Sequence, residues 1–115
     1  VMKTVFIINP KAGKNKNIES FVEKLKNEAS KAERDIEIYI TKAVGDATEF
    51  VKDYCDNRGP ARFIACGGDG TFNEVLNGAI GFCGAEIGVF PMGTGNDFCR
   101  NFGDNLSFKD VLPGL

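Results

Sequence analysis

The sequence predicts an α/β fold, a parallel sheet with helices on both faces, on three observations. Short runs of β-branched and aromatic residues alternate four times with stretches whose apolar residues recur at helical spacing. The length, 115 residues, suits one domain able to bury roughly two-thirds of its unfolded surface. Of the 14 glycines, 10 lie between Gly67 and Gly103, gathered around two strand-to-helix turns rather than spread as linkers.

The elements follow in order. Thr4 to Ile8 is continuously apolar, as expected of a strand buried on both faces. Ile18, Phe21, Val22, Leu25, Ala29 and Ala32 then form a helical stripe, with Asn17 placed to cap it. Ile36, Ile38 and Ile40 alternate with Glu37 and Tyr39, the pattern of a half-buried second strand. Asp46 with Glu49 resembles a capping box opening a second helix, whose inner stripe is Ala47, Phe50, Val51 and Tyr54 and whose end is Gly59-Pro60. Arg62 to Cys66 is the third strand, and the helix after it carries Phe72, Val75, Leu76 and Ala79 on one face. Glu86 to Phe90 is the fourth strand, stopped by Pro91. A short helix from about Asn96 to Phe102 and a last one capped by Ser107 complete the pattern.

Repeated strand-helix units of this length favour a parallel sheet whose strand-to-helix loops all lie at one edge. Ligands of such sheets bind beyond the carboxyl ends of the strands, near a switch in strand order. Four loops therefore become candidates: Asn9 to Lys16, Thr41 to Asp46, Gly67 to Asn73 and Pro91 to Asp97.

Composition narrows the chemistry. There is no histidine, which excludes a Ser-His-Asp or Cys-His nucleophile and every His-containing metal site within the chain. Fourteen basic residues against 16 acidic ones give a net charge of −2, unlike the basic stripe of a nucleic-acid binder, so no nucleic-acid partner is expected. The longest apolar runs are too short to span a bilayer. Cys55, Cys66, Cys83 and Cys99 lack CxxC spacing and sit in apolar stretches, the pattern of buried, reduced thiols in a cytoplasmic protein.

The strongest local signal is Gly67-Gly68-Asp69-Gly70-Thr71-Phe72-Asn73, between a buried strand and a helix. Glycines let the backbone approach a ligand with nothing projecting from Cβ, and the following helix aims its free N–H groups and positive dipole end at the same point. That combination suits phosphate. Asp69 would repel a phosphate unless a metal or donor mediates, so it suits proton acceptance or organising Mg²⁺. Pro91 to Asp97 repeats the arrangement, with Thr94 as a hydroxyl donor; capping alone would also account for Asn96 and Asp97.

The first loop, Asn9-Pro10-Lys11-Ala12-Gly13-Lys14, has a Gly-Lys pair but lacks the earlier glycine and the Ser/Thr of a Walker A loop. Asn9 at a strand end, with lysines after it, still suits contact with a phosphate or ribose. Thr41 has the same placement at the end of the second strand, where a solvent-facing threonine would serve equally. Neither glycine turn completes G-x-G-x-x-G, so a redox dinucleotide-binding domain is disfavoured.

Three blocks in order, VFIINPKAG (Val5 to Gly13), GGDGTFNEVLNG (Gly67 to Gly78) and PMGTGNDFCRNFG (Pro91 to Gly103), resemble the diacylglycerol kinase catalytic domain of bacterial lipid kinases. NAD kinases and phosphofructokinases share turns like GGDGT, but the third block separates them. Sphingosine kinases are similar but typically break the GGDGT threonine and the NDF segment, both intact here.

The resemblance implies a three-layer α/β/α, Rossmann-like parallel sheet of the kind found at the N-terminus of NAD kinases and diacylglycerol kinases. It implies transfer of the γ-phosphoryl group of ATP, with Mg²⁺, to a lipid hydroxyl such as that of diacylglycerol. By motif matching, ATP would meet Asn9, Pro10, Lys11, Ala12, Gly13, Thr41, Gly67, Gly68, Asp69, Gly70, Thr71, Phe72, Asn73 and Thr94. Asp69 would take a supporting catalytic part. Such chemistry rests on positioning and charge neutralisation and has little need of histidine.

In the family a second, β-rich domain supplies the acidic general base, structural metal ligands and much of the lipid cleft. Residues 1–115 are accordingly expected to be the nucleotide-binding domain of a lipid kinase with that domain absent, inactive alone, and with no metal ligands assigned within the chain. The lipid would be met through the missing domain, in a cytoplasmic protein touching the inner membrane face peripherally. Two other readings compete: a stand-alone ATP-binding or regulatory module, and an NAD kinase-like phosphotransferase.

Overall fold

The computed structural model describes residues 3–11 and 18–91. Seven elements follow in the expected alternation: β1 (Thr4–Ile8), α1 (Ile18–Lys31), β2 (Ile36–Ile40), α2 (Asp46–Arg58), β3 (Arg62–Gly67), α3 (Asp69–Ala79) and β4 (Glu86–Pro91). The four strands form one parallel sheet in the order β2-β1-β3-β4. β1 is flanked on both sides, which is why its five residues are buried without alternation.

From β1 the chain steps one way to β2, then crosses back over β1 to β3. Opposite steps send the connecting helices to opposite faces of a parallel sheet. Phe21 and Leu25 of α1 pack with Phe6, Ile8, Ile64, Cys66 and Phe90 on one face. On the other, Ala47, Val51 and Tyr54 of α2 and Val75 and Ala79 of α3 cover Val5, Ile7, Phe63 and Ala65. The result is the predicted three-layer α/β/α sandwich. Phe21 meets Phe90 edge-on with ring centroids 5.4 Å apart, and Tyr54 meets Phe63 likewise at 5.5 Å.

α2 and α3 lie side by side, and Gly78 permits their approach. A Cβ there would stand 2.6 Å from the Thr48 carbonyl oxygen and 2.8 Å from the Val51 Cβ. At the far end of the sheet, Arg62 on β3 and its register partner Glu86 on β4 form an ion pair at 2.9 Å.

Several sequence-based expectations need correction. Asp46 does not cap α2: the N-cap is Gly45, and no side-chain cap bond is made from it. Asp46 is instead the first helical residue, and its carboxylate turns back to the β2–α2 loop, so no Asp46–Glu49 capping box forms. Leu76 is 42 % exposed, because α3 turns Thr71, Val75, Gly78 and Ala79 inward and leaves Leu76 at the margin of that stripe. Ala32 lies beyond the end of α1 and is exposed. Cys83 is an exposed thiol in the α3–β4 loop, whereas Cys55 and Cys66 are buried as expected. β4 includes Pro91, which pairs in register with Gly67. Asn17, Ser107, Cys99 and the helices expected after β4 lie outside the described residues.

Candidate functional site

Because β2 and β3 lie on opposite sides of β1, the loops after β1 and β3 diverge, and a crevice opens between them at the carboxyl edge of the sheet. The backbone ties this edge together. Asn9 N–H donates to the Cys66 carbonyl at 3.1 Å, and Thr41 N–H donates to the Ile8 carbonyl at 2.9 Å. Three strand ends are thus held in one row, and Asn9 and Thr41, the residues after β1 and β2, line the crevice.

A cleft of about 90 Å³ occupies this position, walled by Asn9, Pro10 and Lys11 after β1, Thr41 to Val44 after β2, Ala47 at the start of α2, and Thr71 and Glu74 of α3. Three of the four loops expected from the sequence therefore converge. Asn9 shapes its own turn, its side-chain oxygen accepting the Lys11 N–H at 2.9 Å. Lys11 and Lys42 are exposed at the cleft and carry positive charge there.

At the β3–α3 turn the glycines differ in purpose. Gly67 is buried, and a Cβ on it would collide with the Thr71 hydroxyl and lie 3.5 Å from the Asn9 Cβ. Gly68 and Gly70 are exposed, and among the described residues a Cβ on either would meet nothing within 4 Å. Gly68 is extended (φ −100°), so its lack of a side chain is demanded neither by packing nor by backbone conformation. α3 begins immediately after it, and its first backbone bond runs from Phe72 N–H to the Gly68 carbonyl at 3.1 Å. The earlier N–H groups of a helix have no intrahelical acceptor. With no N-cap side chain to take them, they form a positive surface, open among the described residues, of the kind that can receive an anion.

Asp69 is exposed at the head of α3, Asn73 is exposed one turn on, and Phe72 is half-buried against the α2–α3 core. Ala12, Gly13 and Thr94, with the rest of the expected fourth loop beyond Pro91, lie outside the described residues.

Two residues act at the cleft in ways the sequence did not indicate, and Glu74, which lines it, is the first. The Glu74 carboxylate accepts the Ala47 N–H at 3.3 Å, and the Glu74 carbonyl accepts the Thr48 hydroxyl at 2.8 Å. The signal was present: at three residues from Thr71 and four from Gly78, Glu74 is a charged residue on the inward face of an amphipathic helix. Asp46, expected as a helix cap, is the second, and it acts from behind the loop rather than from the cleft wall. Its carboxylate accepts the Lys42 N–H at 2.8 Å and the Tyr39 hydroxyl at 2.8 Å, pinning the β2–α2 loop. The Lys42 N–H, then the Tyr39 hydroxyl, hold the Asp46 carboxyl below its ordinary value against the opposing effect of burial. The same hydroxyl bond, chiefly, raises the Tyr39 phenol. Cys66, next to Gly67, is no nucleophile candidate, since complete burial pushes its thiol far up.

As for metals, no group of three or more Asp, Glu or Cys side chains converges among the described residues. Mg²⁺ is usually held by one or two carboxylates together with substrate phosphates, a requirement that the single Asp69 carboxylate at the head of α3 can meet.

Comparison with known proteins bears on what this edge belongs to. A protein named "Probable lipid kinase YegS" from Escherichia fergusonii is 37 % identical over 112 residues, covering 95 % of this chain and 36 % of that protein. A "Probable lipid kinase YegS-like" protein from Serratia proteamaculans is 37 % identical over 98 residues, covering 82 % of this chain and 30 % of its own length. The chain thus spans about a third of the curated relatives it matches. The crystal structure of a diacylglycerol kinase from Bacillus anthracis str. Sterne superposes with a TM-score of 0.67 at 32 % identity, over 96 % of this chain and 40 % of that one. The family profile for the diacylglycerol kinase catalytic domain matches residues 3–114, from β1 through all three quoted sequence blocks, and the chain belongs to that family.

Proposed function

We propose that this chain binds ATP at the carboxyl edge of its sheet, as the nucleotide-binding part of a kinase that transfers the γ-phosphoryl group to a lipid hydroxyl such as that of diacylglycerol. The observation that carries the reading is the open space above Gly68 and Gly70 at the start of α3, where neither packing nor backbone conformation at Gly68 asks for glycine. A phosphate group seated there would face helix N–H groups at close range, which any Cβ would obstruct. Lys11 and Lys42 add positive charge, and the Asn9–Thr41–Thr71 wall offers hydrogen-bonding groups to the rest of the nucleotide. Mg²⁺ would neutralise charge on the phosphates, with Asp69 as the carboxylate that holds it.

The test is phosphoryl transfer from radiolabelled ATP by the full-length protein, with diacylglycerol, sphingosine and NAD offered in parallel. Label on diacylglycerol is the expected result. Label on sphingosine alone would change the lipid assigned, and label on NAD alone would overturn the lipid kinase reading.

A further inference from the structure

We infer that Glu74 is a positioning residue, fastening the start of α2 to α3 so that the two walls of the cleft keep a fixed separation. The inference rests on the nucleotide reading above and adds to it a residue that need not touch the nucleotide.

α2 starts without a side-chain cap of its own. Its N-cap is Gly45 in the left-handed region (φ 88°), and the Asp46 carboxylate is turned away to Lys42 and Tyr39. The acceptor for the second N–H of the helix comes instead from a different helix, the Glu74 carboxylate of α3, 27 residues on. The Glu74 carbonyl then takes the Thr48 hydroxyl, so one residue grips two successive positions of α2. One turn farther along, the Gly78 contact holds the same helices together and gives the grip a fulcrum.

Both ends of this link lie in the cleft wall. Ala47 lies three residues after Val44 of the Thr41–Val44 loop, and Glu74 stands one turn from Thr71, beside the glycine turn. Loss of the carboxylate would uncap α2 and let the β2-side wall move relative to the phosphate-facing end of α3. A nucleotide spanning both walls would then have to reorganise them on binding, which appears as lost affinity.

The full chain would be compared as wild type, Glu74→Ala and Glu74→Gln, titrated with ATP by calorimetry, with amide hydrogen exchange followed at Ala47. Glu74→Ala is expected to weaken ATP binding about tenfold and to speed exchange at Ala47. Glu74→Gln keeps an oxygen able to accept the same N–H and is expected to stay within about threefold of wild type in both. Equal losses in Gln and Ala would assign the effect to charge, and weakened binding with unchanged exchange would assign it to direct contact; either overturns the proposal. If Glu74→Ala does not fold, Thr48→Val removes one of the two fastenings and should shift both readouts less, in the same direction. No shift in either readout overturns the proposal. Absence of ATP binding by the wild type would reject the nucleotide reading, while exchange at Ala47 in the variants would still decide whether Glu74 secures α2.

Discussion

The Thr71 hydroxyl fills the space that a side chain on Gly67 would need, while the neighbouring Gly68 and Gly70 face open space. One glycine of the turn thus serves the fold, and two leave room for something else. Gly67→Ala should therefore destabilise the chain by about 1–3 kcal/mol, the usual cost of overpacking. Gly70→Ala should stabilise it by about 0.5–1 kcal/mol, because alanine is the better helix former. Gly68→Ala should leave stability within about 0.5 kcal/mol. If the open space receives phosphate, both of the latter variants should weaken ATP binding at least tenfold, about 1.4 kcal/mol. Thermal unfolding and ATP titration on the same samples would check all three.

Leu25 and Leu76 offer a second contrast. Both belong to helical apolar patterns, yet Leu25 is fully buried under the sheet and Leu76 is 42 % exposed. Leu25→Ala should cost about 2–5 kcal/mol through lost burial and the cavity left behind. Leu76→Ala should cost no more than about 0.5 kcal/mol. Urea unfolding midpoints with unchanged slopes would measure both.

That contrast marks how far the sequence could be read. Strand and helix identities were legible because β1 and β3 are unbroken apolar runs and α1 has a regular stripe, signals that depend on local spacing alone. The convergence of Asn9, Thr41 and Thr71 was legible too, since a parallel sheet puts every strand-to-helix loop at one edge. What escaped depends on partners distant in sequence. Asp46 carries the side chain and spacing of a capping box, but Tyr39 on β2 offers its carboxylate another partner and Gly45 occupies the cap position. The inner limit of the α3 stripe is set by where α2 lies, so spacing alone counted Leu76 in and passed over Glu74.

Asp69 heads α3, exposed and without a side-chain partner among the described residues. If it organises Mg²⁺ or the transferring phosphoryl group in the proposed kinase reaction, Asp69→Asn in the full-length protein should lower turnover at least tenfold, about 1.4 kcal/mol of barrier. ATP affinity measured without Mg²⁺ should hold or rise, because a like charge has been removed. Unchanged turnover would take Asp69 out of the chemistry.

Asp46 gives a pH dependence whose sign is fixed. Its hydrogen bonds from Lys42 N–H and the Tyr39 hydroxyl favour the ionised form in the folded chain, so its folded value lies below that of the unfolded chain. The unfolded state therefore takes up the proton first as pH falls. The Asp46 contribution is whole above about pH 4, near the unfolded aspartate value, and is lost as pH falls through the lower folded value. Asp46→Asn should lower the Tm at neutral pH by a margin that stays constant between about pH 6 and 8. That margin should shrink below about pH 4, where the wild-type carboxyl is itself becoming neutral. At the alkaline end the raised Tyr39 phenol acts in the same bond: the unfolded tyrosine ionises first, and stability declines as pH rises past about 10. Thermal unfolding of the two chains across this range would decide it, and a wild-type-to-variant margin that did not change with pH would remove the Asp46 charge as the source of the difference.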